Sequence, residues 1–343
     1  MKFDVAIGNT PYQIQTEGTS DCMKPIYNQF IKDTVDMGCE YINFLIPSRW
    51  MNGGLNLEEF RYFMVRCNNI KELVDYQYAM SIFPEVWIDS GLCYFLYKKD
   101  YNGKCNYKYI KKNGETQISE RYLSNEFTNG VIRDIRQLSI IEKVLNKGYI
   151  GFDTIVSSRK PYGLGTDFFN NPEKYTEVEL IEKEDKKAIK IYGVHGFKGK
   201  SRRTFNYINR EGITKAVEEI EKYKVFASVA YNMVSTVPPE YILGQPKEIC
   251  TETFLRIGPF ETEEEQKNCV KYMKTNFFRA LLFFARAQKN TTAKTYRLIP
   301  LLEFNKIWTD EELYNMFNLD NSEIEYINSL IKTSKVREEY DYD

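Results

Sequence analysis

Histidine is nearly absent from this 343-residue chain; His195 stands alone, among glycines, and reads as a turn residue rather than a catalyst. The seven cysteines (22, 39, 67, 93, 105, 250, 269) are scattered singly, without a C-x-x-C pair. That excludes a cysteine metal cluster and a disulfide framework, and it fits a reduced cytosolic compartment. No metal is expected. A net charge of −1 rules out a uniformly basic coat for nucleic acid but leaves room for a local basic face. Long apolar runs are missing too. The most apolar block, residues 277–287, contains Arg279 and Arg286 and is too short to span a bilayer. Met1 leads directly into a strand-like run, with no basic segment and long apolar stretch of a signal peptide. The expectation is a soluble cytoplasmic protein with no membrane partner.

What the chain does contain is aromatic: 15% of residues, with 26 Tyr and 22 Phe. Such rings serve stacking surfaces or plain core packing. The length suggests two or perhaps three domains. Residues 3–7 read as a buried strand ended by Gly8, and residues 41–46 as a second strand stopped by Pro47. Further strands are expected at 70–76 and 92–97. A helix is expected after Pro25, and another that Asn56 could cap, with Leu57, Phe60, Phe63 and Met64 on one face. Alternation of this kind predicts a parallel α/β sheet over the first hundred residues. Residues 106–120, rich in Asn, Gly and Lys, read as a linker or a long hairpin. Beyond them, from 121 to 343, short strands with Gly-bearing turns predict a mixed α+β domain. A long amphipathic helix at 262–288 and a final helical pair complete it.

The first strand opens onto Asn9-Thr10-Pro11-Tyr12. A loop of this composition suits chemistry on an exocyclic amino group, whose lone pair is delocalised into its ring and whose nitrogen is a poor nucleophile. The Asn9 side-chain carbonyl and the Thr10 backbone carbonyl can accept both amino hydrogens and return electron density to the nitrogen. Tyr12 can stack on a base rotated out of its helix. The work is positioning and electrostatics, with no covalent nucleophile. The quartet resembles the Asn-Pro-Pro-Tyr signature of amino-group DNA methyltransferases. Thr10 replaces the first proline; the carbonyl survives, Pro11 still biases Thr10 toward extended backbone, and a fixed φ worth about 0.4–1 kcal/mol is lost.

Later segments extend the likeness. Lys24-Pro25-Ile26-Tyr27-Asn28-Gln29-Phe30, residues 41–50 through Arg49 and Trp50, and Phe83-Pro84-Glu85-Val86 resemble the adenine-specific methyltransferases of type II restriction–modification systems. The resemblance implies a partial Rossmann-like methyltransferase sheet in residues 1–105, then a target-recognition domain at 121–343. It also implies that Phe83 supplies a second face around a flipped adenine. Arg49 and Trp50 read as solvated loop or as neighbours of DNA phosphates. Residues 186–210 are basic without an acidic residue and are interleaved with aromatics. Lys198, Lys200, Arg202 and Arg203, with Arg159 and Lys160 of an earlier turn, are the candidates for double-stranded DNA.

Methyltransferases of this kind are similar in holding S-adenosylmethionine with a Gly-bearing loop and an acidic residue that precede the Asn-Pro-Pro-Tyr loop. Neither is recognisable here. Gly163-Leu164-Gly165 is a weak substitute, lacking an apolar strand before it and a helix after it. The chain is therefore expected to begin mid-sheet, with a second polypeptide supplying the cofactor-binding half, and to bind the methyl donor weakly by itself. Two readings follow: a site-specific DNA-adenine methyltransferase or a subunit of one, and a non-catalytic DNA-recognition subunit. A nuclease reading rests only on the triplet Glu184-Asp185-Lys186.

Overall fold

The computed structural model describes residues 3–15, 23–51, 56–88, 90–125, 130–183, 185–196, 202–232, 235–286 and 290–340, the last nine by backbone alone. They form two compact units, residues 1–139 and 140–343. Lys198, Lys200 and Glu184 lie outside the described residues.

In the first unit, β1 (Val5–Asn9) leads through the 9–12 loop into the small antiparallel pair β2 (Gln13–Gln15) and β3 (Met23–Pro25). Helix α1 (Tyr27–Asp36), β4 (Tyr41–Pro47), α2 (Glu58–Arg66) and β5 (Ile70–Tyr76) follow. Then come β6 (Leu92–Lys98), β7 (Cys105–Ile110) and β8 (Thr116–Arg121). The six-stranded sheet runs β1-β4-β6-β5-β7-β8. Strands β1, β4, β5 and β7 point one way; β6 and β8 run against them. The fold is mixed α/β, and the sheet is mixed rather than wholly parallel. The reason lies in the connection: the described residues of 77–91 hold no α-helix to carry the chain back, so β6 returns beside β5 antiparallel.

Residues 106–120 form most of the antiparallel β7–β8 hairpin, the second of the two readings made of them, and that hairpin belongs to this sheet. The alternation of β7 buries Cys105, Tyr107 and Tyr109 on one face, and the division between units falls after Ser139. Asn56 adopts φ 56° and does not cap α2, which starts behind Leu57. The core beneath the sheet gathers Tyr27, Ile31, Trp50, Phe60, Leu73 and Phe95.

Helix α3 (Ile135–Leu145) runs across the division. In the second unit, β9 (Ala188–His195) pairs with β10 (Arg202–Asn209), and β11 (Tyr223–Ser228) lies between β12 (Ile242–Gly244) and a later strand. β13 (Glu248–Cys250) joins β9 in parallel, and β14 (Phe254–Phe260) completes the β11 sheet. The expected long helix is two: α4 (Glu263–Met273) and α5 (Asn276–Ala285). Thr275 breaks it by accepting the Phe278 N–H, while the Asp310 carboxylate accepts those of Asn276 and Phe277. Helices α6 (Asp310–Met316) and α7 (Asn321–Tyr340) close the chain. No helix among the described residues is long and apolar enough to cross a membrane.

Candidate functional site

Three connections leave the same edge of the first sheet, at the C-terminal ends of its parallel strands: the 9–12 loop after β1, the turn Ser48–Met51 after β4, and residues 77–91 after β5. In open α/β sheets this edge is where ligands bind. Asn9 is the last residue of β1, paired in register with Leu45, and its side chain is exposed. Thr10 is buried and Pro11 exposed; Tyr12 is half-buried, and its carbonyl accepts the Ile26 N–H at 3.2 Å. Burial raises the Tyr12 phenol, partly offset by the Asn9 side chain beside it. No contact of the Tyr12 hydroxyl meets strict hydrogen-bond geometry, and the same holds for Thr10 Oγ1, Tyr27 OH, Asn28 Oδ1 and Arg49 Nε.

Trp50 belongs to the core, fully buried, its Nε1 donating to Cys93 Sγ at 3.4 Å and its ring edge-on to Phe60. Phe83 is half-buried in the loop after β5, and its N–H donates to the Ala79 carbonyl. Phe83 makes no ring contact with Tyr12 among the described residues. Trp87, unremarked in the sequence, is exposed and packs edge-on against Tyr78 at 5.9 Å.

The floor under this edge is a buried ion pair. Asp75, with no exposed surface, accepts from Arg133 Nη2 (2.6 Å) and Ser48 Oγ (2.8 Å) on Oδ1. On Oδ2 it accepts from Arg133 Nε (2.6 Å) and Tyr107 OH (2.8 Å). Arg133 Nη1 reaches the Ser90 carbonyl, so one side chain grips both ends of the loop bearing Phe83. Burial opposes the Arg133 charge, yet Asp75 and the tyrosines beside it raise its pKa overall. Burial, reinforced by Asp75, pushes the Cys93 thiol up to about 12. Gly91 closes the loop at φ +77°, where any Cβ would strike the Tyr76 carbonyl. Sequence reasoning missed this clamp, because 58 residues separate its partners.

In the second unit the predicted basic residues are only partly free. Arg159 Nε pairs with Glu252 at 2.8 Å and Lys160 stands 4.0 Å from the same carboxylate. Arg202 is exposed, and Arg203 donates to Ser228 Oγ while lying over Phe254. Lys190 sits between the rings of Tyr192 (4.5 Å) and Phe205 (4.3 Å), tethered by Glu248 at 3.4 Å. His195 is the exposed end of β9. The turn proposed for the methyl donor is filled by the chain itself. Leu164 is core, and the Gly165 N–H donates to the Tyr175 hydroxyl, which a Cβ there would strike. That turn does not fit S-adenosylmethionine, and no other donor site is recognisable among the described residues.

Residues 1–83 match the model of the Eco57I restriction-modification methylase. The segment holds the 9–12 loop, the turn after β4 and Phe83. An "uncharacterized adenine-specific methylase" of Mycoplasma pneumoniae is 31% identical over 163 residues, 46% of this chain and 38% of that protein. The chain thus spans less than half the length of the curated relative it matches. Among solved structures, the type IIG restriction endonuclease BpuSI aligns over 92% of this chain and 45% of its own at 11% identity, with a TM-score of 0.34. The type IIL enzyme MmeI in complex with DNA aligns over 96% and 53% at 9% identity, with a TM-score of 0.37.

Proposed function

We propose that this chain is the base-holding and target-reading part of a DNA-adenine amino methyltransferase of a restriction–modification system. The observation that carries the reading is the placement of Asn9, Thr10, Pro11 and Tyr12 at the C-terminal end of β1, inside the segment that matches the methylase family. Asn9 Oδ1 and the Thr10 carbonyl accept the two amino hydrogens of a flipped adenine. Tyr12 stacks on the base, and Phe83 closes on its other face. Such acceptors act through fixed placement where charge develops. The second unit reads double-stranded DNA through Arg202, Arg203 and their neighbours, with Arg159 and Lys160 partly neutralised by Glu252.

S-adenosylmethionine supplies the methyl group when bound, held by residues other than those described. The open side of β1 supports a second polypeptide segment there. Val5 is 60% and Ile7 78% exposed, an apolar edge that proteins normally cover. The test is mass spectrometry for N6-methyladenine in DNA from cells expressing the full-length protein, with and without neighbouring gene products. Methylation lost with Asn9→Ala supports the enzyme reading. Specific DNA binding with no methylation under either condition replaces it with the recognition-subunit reading.

A further inference from the structure

Beside the 9–12 loop lies a positive charge that the described chain leaves unanswered. Arg49 occupies the turn after β4, half-buried, with its Nε sealed from solvent and unpartnered. The other described arginines of the first unit are engaged. Arg61 donates to the Trp50 carbonyl, Arg66 covers Tyr62, Arg121 donates to the Ile132 carbonyl, Arg133 grips Asp75, and Arg136 pairs with Asp134. Arg49 has no ion pair or side-chain hydrogen bond with any described residue. A guanidinium has donors only, so what it lacks is an acceptor, and an anionic one serves best.

Its surroundings point the same way. Tyr27 is 2% exposed, and its hydroxyl feels the Arg49 charge and the Trp50 backbone but donates to no described acceptor; Asn28 Oδ1 and Thr10 Oγ1 are unpartnered. Tyr27 is also the first residue of α1, a helix whose start has no side-chain cap and no acidic residue in its first turn. Helix starts of that kind favour anions. The Ile26 N–H holds the Tyr12 carbonyl, so the start of α1 is tied to the loop itself. A base turned out of a duplex brings its own phosphodiester to this edge of the sheet.

We infer that Arg49, with the Tyr27 hydroxyl, binds the DNA phosphodiester of the nucleotide that the 9–12 loop holds. This inference rests on the methyltransferase reading. A free carboxylate, such as that of an amino-acid-bearing methyl donor, offers similar chemistry, and the test separates the two.

The affinity of the full-length protein for duplex DNA containing its methylation site is measured by fluorescence anisotropy across a salt series. Each neutralised phosphate contributes about −0.9 to the slope of log K against log salt. Arg49→Gln should make the slope shallower by about that amount, and Arg49→Lys should restore it. Lys keeps the charge and also reports on folding at this half-buried position, with thermal melts run on both variants. Affinity for S-adenosylmethionine, measured by calorimetry on the assembly that methylates DNA, should be unchanged. An unchanged slope in Arg49→Gln overturns the inference. So does a selective loss of donor affinity, which moves the charge to a carboxylate. If wild-type protein methylates DNA, Asn9→Ala does not, and the slope stays fixed, only this inference falls. If the wild type neither methylates nor binds DNA, the functional reading falls with it.

Discussion

Two regions of one sheet edge are built on opposite plans. Around Asp75, each carboxylate oxygen accepts two donors, and Arg133, Ser48 and Tyr107 lock the ends of β4, β5 and β7 together. Around Asn9 and Tyr12, buried polar atoms of Thr10, Asn28 and Arg49 have no described partner, and the Tyr12 and Tyr27 hydroxyls make no contact of strict hydrogen-bond geometry. Buried polar groups are ordinarily satisfied, and the exceptions call for an explanation. The contrast separates a floor whose polar groups satisfy one another from an edge where several do not, which is what the proposed base-holding role asks for.

The contrast can be broken by mutation. Asp75→Ala should have the largest effect on stability, because it strands the buried Arg133 charge. A loss of about 3–5 kcal/mol is expected in urea unfolding; a loss below 1 kcal/mol would mean that the floor is not held by this pair. Asp134, beside the clamp, gives a second handle. Burial alone would raise its carboxyl, but Arg136 and Lys111 hold it down at about 2. A depressed acid stabilises the fold above its unfolded pKa, and the gain disappears as pH falls from about 4 to 2. Wild type should therefore lose about 2 kcal/mol over that window relative to Asp134→Asn; parallel pH profiles would contradict this. The smallest effect belongs to the open side. Asn9 already sits in extended strand, as a residue before proline must. Thr10→Pro should therefore leave methylation intact and stabilise by about 0.4–1 kcal/mol, read as a raised Tm. A loss of methylation would show that the Thr10 hydroxyl or N–H has a role.

The same contrast explains what could be read in the sequence. Strands β4 and β6 were legible as local apolar runs and β5 from its Ile, Leu, Val and Tyr; β1 was located, but it runs through Gly8 to Asn9 and is largely exposed instead of buried. The 9–12 loop was legible because its chemistry lies in four consecutive residues. The antiparallel return of β6 was not, since it depends on what residues 77–91 fail to form. The β7–β8 hairpin was legible only as one of two readings, because its Asn, Gly and Lys also suit a linker, although Cys105, Tyr107 and Tyr109 alternate as a half-buried strand should. The break at Thr275 depends on Asp310, far along the chain. The Asp75–Arg133 clamp, the lone Arg49 and the Lys190 sandwich are facts of three-dimensional neighbourhood. Residue type alone gave no sign of which arginine is paired and which is not.

The central claim is that Asn9 is a catalytic acceptor on an edge whose fold does not depend on it. Its direct test is the initial rate of N6-methyladenine formation by wild-type and Asn9→Ala protein, in the same assembly and alongside thermal melts. The account predicts a fall of about 10²–10³-fold at an unchanged Tm. A rate within a few fold of wild type would contradict it.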